Sequence, residues 1–287
     1  MDSKNGGEKR VKIKISTIVT HIVAWLIAVI WILPVISIFM VAIRPIREVL
    51  HGWWNFKEFH PTIENFIKAL NHPTTPLSKG LINSLIITFF STVIPIFVAA
   101  LAAYGFARFS FPLKTYLFLL IVVIMAMPQQ MVAIPLFQIM IKLGLVNKYL
   151  GLILVHTAWG LSWIILFLRN FFLTLPVEVE EAARVDGASD FQIFLRIVLP
   201  MSLPALLSVV ALQFTWVWND FFFALIILYS SDKLVATQCL AWMKGRYHTP
   251  WDTLCAGAVL VMIIPVLIYA ILQKYYVKGM VGWVIKG

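Results

Sequence analysis

Charge is the scarcest property of this 287-residue chain. Only 13% of its residues are Asp, Glu, Lys or Arg, and 61% are hydrophobic; an ordinary soluble domain carries about 25% charged residues. With a mean hydropathy of +0.90, a soluble globular class is excluded. Acidic residues are rarest, 13 against 23 basic, for a net charge of +10. The Lys and Arg are spread along the chain and mostly flank apolar runs, where they anchor helix ends. That spread excludes a concentrated nucleic-acid surface, so no nucleic acid is expected as a partner. Cysteine is nearly missing: Cys239 and Cys255 form no CxxC or Cys/His zinc pattern. They read as small apolar residues, with a disulfide across the last outer loop as the open alternative. No GxxxxGK[ST] phosphate loop, HExxH or GxSxG is present, and the six histidines are scattered. No catalytic constellation, bound cofactor or metal is therefore expected on this chain. There is also no repeat period of about 20–50 residues and no low-complexity tract.

What the chain has instead is long apolar runs, several exceeding the roughly 18 residues that a bilayer-spanning helix requires. They predict an all-α polytopic membrane protein with six transmembrane helices, at about 17–43, 81–107, 114–141, 151–173, 204–229 and 254–276. The third run is interrupted by Pro128 and Pro135, and Pro265 is expected to kink the sixth. The first run is too long for a signal-peptide core of roughly 7–15 residues and lacks a small-x-small cleavage site, so it reads as a retained span. Five basic residues precede it (Lys4, Lys9, Arg10, Lys12, Lys14), which places the N-terminus in the cytoplasm by the positive-inside rule. With six spans both termini are then cytoplasmic, and Lys and Arg divide thirteen inside to ten outside. The chain is expected to comprise an N-tail (1–16), the first span with its outer loop (17–80), a five-span core (81–276) and a C-tail (277–287). The loop from Arg44 to Gly80 contains the pair Trp53-Trp54, and paired tryptophans favour the membrane interface.

Against this background the loop at about 174–203 stands out. EVEEAARVDGASDFQIFLRIVLP holds five of the 13 acidic residues. Its local grammar is helix, stop, helix. Thr174 and Pro176 suit a helix start, and Glu178, Glu180 and Glu181 favour the positive end of the helix dipole. Gly187 can close the helix in the left-handed conformation. Ser189 and Gln192 have the spacing of a capping box, and Pro200 and Pro204 are expected to end the second helix. There Phe191, Phe194, Leu195 and Val198 form one apolar stripe at helical spacing. An amphipathic helix lying on lipid is usually basic; this loop is acidic, so a protein partner fits better.

The same stretch carries a family resemblance. Glu181-Ala182-Ala183, three residues, Gly187, nine residues and Ile197-x-Leu199-Pro200 resemble the EAA loop of ABC-importer permeases at every defined position. AAYGFARFSFPLK (102–114), FTWVWNDFFFAL (214–225) and SDKLVATQCL (231–240) look like the carbohydrate branch, near the six-span, maltose-type permease subunit. The resemblance implies a type I importer permease fold whose cytoplasmic coupling helix docks on a separate ATP-binding subunit dimer. ATP and Mg would reside on that partner. The implied coupling residues are Glu181, Ala182, Ala183, Asp186, Gly187, Ile197, Leu199 and Pro200. It further implies a second permease subunit in a heterodimer, an extracytoplasmic solute-binding protein, and the inner membrane of a bacterial or archaeal cell. The C-terminus, with Gly279 and Gly282-Trp283, resembles an ending that reaches toward the ATPase dimer.

A path through lipid needs polar groups that are costly against hydrocarbon. The candidates are Asn83, Ser84, Thr88, Gln129, Gln130, Gln138, His156, Thr157, Gln213, Trp216, Trp218, Asn219 and Asp220. Asn83, Gln129, Gln213, Trp218, Asn219 and Asp220 are taken as the substrate path. Neutral amides and indole faces suit sugar hydroxyls, whereas helix–helix bonding accounts for the same residues structurally. The Met127–Gln130 break is a gate candidate. The last outer loop, about 230–253, is a candidate contact for the solute-binding protein. The competing class is a stand-alone secondary transporter or channel, for which Asp220 is the one plausible intramembrane acid, without an evident basic mate.

Overall fold

The computed structural model describes residues 15–245 and 249–284, and their side chains over 16–245 and 249–274. Expectations that fall on residues 1–14, on 246–248 in the last outer loop, and on the side chains of the C-terminal ending lie outside the described residues.

All the regular structure among the described residues is helical. In order the chain forms α1 (Ile15–Ala42), α2 (Ile46–Val49), α3 (Glu64–Leu70), α4 (Leu77–Arg108), α5 (Lys114–Met125), a 3₁₀ turn (Gln129–Val132) and α6 (Ala133–Lys142). Then follow α7 (Tyr149–Phe172), α8 (Val177–Val185), α9 (Asp190–Ile193), a π turn (Phe194–Val198), α10 (Leu199–Met201), α11 (Leu203–Trp218), α12 (Phe222–Ile227), α13 (Ala236–Met243) and α14 (Trp251–Val284). Among the described residues four helices are long and apolar enough to cross a membrane: Ser16–Ala42, Leu77–Arg108, Tyr149–Phe172 and Trp251–Lys274. Two bent pairs raise the number to as many as six.

Burial sorts these helices. The most apolar stretch of α1 has none of its residues buried, and its C-terminal Ala42 packs with Ala256 and Val259 of α14. A helix that is apolar on all sides yet exposed needs lipid as its solvent. α4 and α7 form the centre. Ala99, Ala100, Ala103 and Tyr104 of α4 meet Ile164, Leu168 and Phe172 of α7, and the end of the loop closes on them with Ile193, Phe194 and Val198. The alanines let the helices approach closely, the usual means of packing in a membrane where apolar burial gives no drive. At the other end Ile87, Leu152 and Val155 meet Phe223, Ile227 and Leu228 around α12.

Two sequence expectations need correction. The fifth apolar run is not one helix. α11 stops at Trp218, with Asn219 as its C-cap, and α12 starts afresh at Phe222. The Asp220 carboxylate accepts the backbone N–H groups of Phe223 and Ala224 (3.4 and 3.1 Å), so it caps the new helix rather than standing free in a span. The second loop helix ends between Pro200 and Pro204, as expected. The chain stays helical to Met201 and turns by 75° before Leu203. A proline ring clashes with the carbonyl four residues before it, and the π turn at Phe194–Val198 widens the helix just there. That extra residue also shifts the apolar phase. Ile193, Phe194 and Val198 are buried, while Phe191 and Leu195 of the expected stripe are exposed. Cys239 and Cys255 are both free thiols, in keeping with their reading as small apolar residues and against the alternative of a disulfide; Cys239 is packed against Gly80, where an added Cβ would lie 2.6 Å from its sulfur.

Candidate functional site

The first site is the loop over 174–203. α8 begins after Pro176 with Glu178 and Glu180 in its first turn. It closes when Gly187 N–H donates to the Arg184 carbonyl (3.0 Å) and Ala188 N–H to the Ala183 carbonyl (2.9 Å). This is the two-bond left-handed closure that glycine permits, and Gly187 has φ +86°. Ser189 Oγ then accepts from Gln192 N–H while Gln192 Oε1 accepts from Ser189 N–H, a complete capping box. Arg184 Nε donates to Asp190 Oδ1 at 3.0 Å, tying the two helices together across the turn, and this bond raises the Arg184 pKa. The motif residues divide by exposure. Glu181, Ala182, Asp186, Gly187 and Pro200 face outward, Ala183 is half-buried, and Ile197 and Leu199 pack on the core.

Sequence reasoning missed the residue that seats this loop. Glu180 is 1% exposed, and the other α8 residues are exposed or half-buried. Its Oε1 is 2.7 Å from Arg108 Nη2 and accepts from Arg108 Nε at 2.8 Å, while Oε2 accepts from Tyr104 OH at 3.2 Å. Tyr104 and Arg108 stand four residues apart, one face of the α4 end. That spacing within AAYGFAR was the available signal; the acidic mate could not be read from it.

The second site is a cavity of about 740 Å³ where two helix breaks face each other. One is the break at 126–128, across which α5 and the following helical segment bend by 98°; the other is the break at 219–221. Irregular backbone at membrane depth is tolerated where it is buried in protein or lines a cavity, and both breaks do so. Gln129, Gln213, Asn219 and Asp220 line it together with His156 and Trp216. Trp159 and Trp163 add aromatic faces, with Trp163 edge-on to Trp216 at 4.9 Å. Gln213 is held rigidly: its Nε2 donates to the Ser91 carbonyl and its Oε1 accepts from Trp163 Nε1, both at 3.0 Å. Asp220 Oδ2 lies 3.6 Å from His156 Nε2, the basic neighbour that the sequence did not reveal.

Other candidates lie elsewhere. Asn83 donates to the carbonyls of Asp232 and Leu234 (3.0 and 2.9 Å) and accepts from Tyr149 OH (2.7 Å), anchoring the segment after α12. Trp218 is buried, its indole N–H donating to the Val261 carbonyl at 3.1 Å. Ser84 Oγ accepts from Ala236 N–H. Gln130 and Gln138 are exposed, and neither they nor Thr88 and Thr157 line the cavity.

A multi-pass helical body, broken at two facing points around a polar and aromatic cavity and bearing an exposed capped helix on one loop, defines a membrane permease. Residues 95–282 match the family described as binding-protein-dependent transport system inner membrane component. A probable ABC transporter permease protein of Pyrococcus horikoshii is 52% identical over 266 residues, 93% of this chain and 96% of the relative. The trehalose/maltose transport system permease protein MalG of Thermococcus litoralis is 33% identical, covering 80% of this chain and 83% of its own length. Among solved structures, a bacterial ABC transporter involved in the import of the acidic polysaccharide alginate superposes with a TM-score of 0.77 at 26% identity, over 91% of this chain and 96% of that one. The chain belongs to this family: it is a permease subunit of a binding-protein-dependent ABC importer, with ATP hydrolysis on a separate subunit. The stand-alone transporter or channel is thereby set aside.

Proposed function

We propose that this chain forms half of the translocation path of an importer for a sugar or oligosaccharide and receives its drive through the loop at 174–203. The observation that carries the coupling role is the exposed, glycine-closed α8. Glu181, Ala182 and Ala183 form its contact face, with Asp186 and Gly187 at its end and Ile197, Leu199 and Pro200 seating it. The docking partner is a cytoplasmic ATP-binding subunit dimer that holds ATP and Mg. The alanine face lets that partner approach closely, and the carboxylates keep the helix off anionic headgroups. Both termini are then cytoplasmic, residues 81–276 form the core, and 17–80 lie at its side. A second, different permease chain completes the path, and a solute-binding protein delivers substrate to the segment at 230–253.

The saccharide reading draws support from the cavity and from the MalG relative. Trp159, Trp163 and Trp216 provide flat apolar faces, and Gln129, Gln213 and Asn219 provide neutral donors and acceptors, the pair of properties a sugar ring needs. Asp220 and His156 form the polar end. Asn83 and Trp218 lie outside the cavity and brace the helices around it through their bonds to backbone carbonyls.

Gly187→Val tests the coupling role. Left-handed backbone costs an ordinary residue roughly 1–2 kcal/mol, and a β-branched one more, so α8 would lose its closure. Uptake by the reconstituted complex should fall to background while the ATPase subunits keep their basal hydrolysis. Gly187→Asn, which tolerates this conformation, should retain most uptake. Wild-type uptake by Gly187→Val would refute the assignment.

A further inference from the structure

The structure assigns a transmission role to three residues outside the matched motif: Glu180, Arg108 and Tyr104 form a latch that makes α8 and α4 move as one body. This inference rests on the coupling role proposed for the loop. Along the chain α8 is joined to the membrane body on one side by the turn at 173–176, and on the other through Gly187 to α9. The turn touches α4 only at the Leu175 carbonyl and the α9 side touches it through Phe194 on Tyr104; neither joins α8 itself to α4, which is the helix packed most extensively against α7 in the centre of the body. The latch makes that link directly, across 72 residues of sequence.

Its chemistry argues for transmission rather than stability. The side chains of Arg108 and Glu180 are 8% and 2% exposed. Burying such a pair costs desolvation that its attraction barely repays, and an apolar pair of similar volume would hold the helices as well or better. A charged pair differs in being directional. Arg108 meets one carboxylate oxygen through both Nε and Nη2 and also donates to the Leu175 carbonyl at 3.4 Å. Tyr104 takes the other oxygen. The Tyr104 ring is itself flanked by Phe109 and Phe194, at 5.7 and 5.2 Å, so the carboxylate is gripped by groups that are themselves immobilised. Sliding of α8 along α4 would strand a buried charge. Arg184 extends the link to Asp190, which brings α9 into the same unit. A push on α8 is thus delivered to α4, whose far half packs on α7 and α12, the helices that bound the cavity.

The test uses the full complex of both permease chains, the ATPase subunits and the solute-binding protein in proteoliposomes. Glu180→Gln and Arg108→Gln should still co-purify with the ATPase subunit, yet uptake per ATP hydrolysed should fall roughly tenfold, within the span over which residues along a coupling route act. Arg108→Lys should recover most of the loss, and Tyr104→Phe should lose less than either. A separate measurement leaves the latch intact: spin labels at Glu178 on α8 and Leu101 on α4 should keep one distance with and without ATP. Wild-type uptake per ATP in both Gln variants would overturn the proposal. So would loss of the ATPase subunit from them, which marks a docking residue, or an ATP-dependent change in the spin–spin distance. Failure of the coupling role itself has a different signature: Gly187→Val would take up substrate at the wild-type rate.

Discussion

Gly160 on α7 offers a demanding check on the cavity. A Cβ built there would lie 2.7 Å from Gln213 Nε2 and 3.0 Å from Oε1. The end of a glutamine is normally free to swing away, but this one is tied to Ser91 and Trp163 and is buried. Alanine in a helix interior gains about 1 kcal/mol over glycine. Against that stand two interhelical hydrogen bonds, each about 0.6–1.7 kcal/mol in a membrane protein, and an overpacking cost of about 1–3 kcal/mol. The net is a destabilisation by Gly160→Ala of about 1–5 kcal/mol. The sign is the point, because helix propensity alone has the opposite one. Gln213→Ala removes the obstacle, so Gly160→Ala placed in that background should be neutral or stabilising. The pair is therefore strongly non-additive, as expected of residues in contact. Denaturation of the detergent-solubilised chain, followed by loss of helical circular dichroism, measures all four proteins. A Gly160→Ala protein as stable as wild type, or additive behaviour across the cycle, would show that the Gln213 side chain is not held as described.

Asn83→Ala should cost about 2 kcal/mol, since it leaves the carbonyls of Asp232 and Leu234 and the Tyr149 hydroxyl without their partner. Proteolysis of the detergent-solubilised chain should then cut first in the segment between α12 and α13. Acid should loosen the segment at 44–60. Burial pushes the Glu48 carboxyl up, but hydrogen bonds from His60 and then Arg44 outweigh it and leave its pKa below the ordinary value. A depressed carboxylate contributes stability that is present above its unfolded pKa and lost as pH falls through its folded one. Hydrogen exchange of this segment should therefore stay slow at neutral pH and quicken below the ordinary carboxylate range, a response that Glu48→Gln should flatten.

The six apolar runs, the glycine closure of α8 and the Ser189–Gln192 capping box were all legible because each is written in neighbouring residues. Hydrophobic length, a residue that tolerates positive φ, and a side chain three positions from its cap act within a few turns of chain. The family motif was legible for the same reason. The break after Trp218 was not, because FTWVWNDFFFAL is apolar enough for a continuous span. It takes the capping of α12 by Asp220, with His156 behind it, to make two helices of it. The π turn escaped notice likewise: a proline says that strain must go somewhere, and the surrounding packing decides where.

The candidate site shows the same division. Polar residues in apolar runs could be enumerated, but their roles depend on what stands opposite. Gln129, Gln213, Asn219 and Asp220 converge on one cavity, whereas Asn83 and Trp218 spend their donors on backbone carbonyls. Glu180 and Glu181 are adjacent letters of one acidic run, yet one is buried against Arg108 and the other exposed. Local chemistry along the chain made this a helical membrane protein with a capped, acidic loop. Which carboxylate is buried, and which helix it holds, is a contact across 72 residues. Such a contact exists only once α4, α7 and α8 have packed, because the energy of a buried charge depends on what surrounds it.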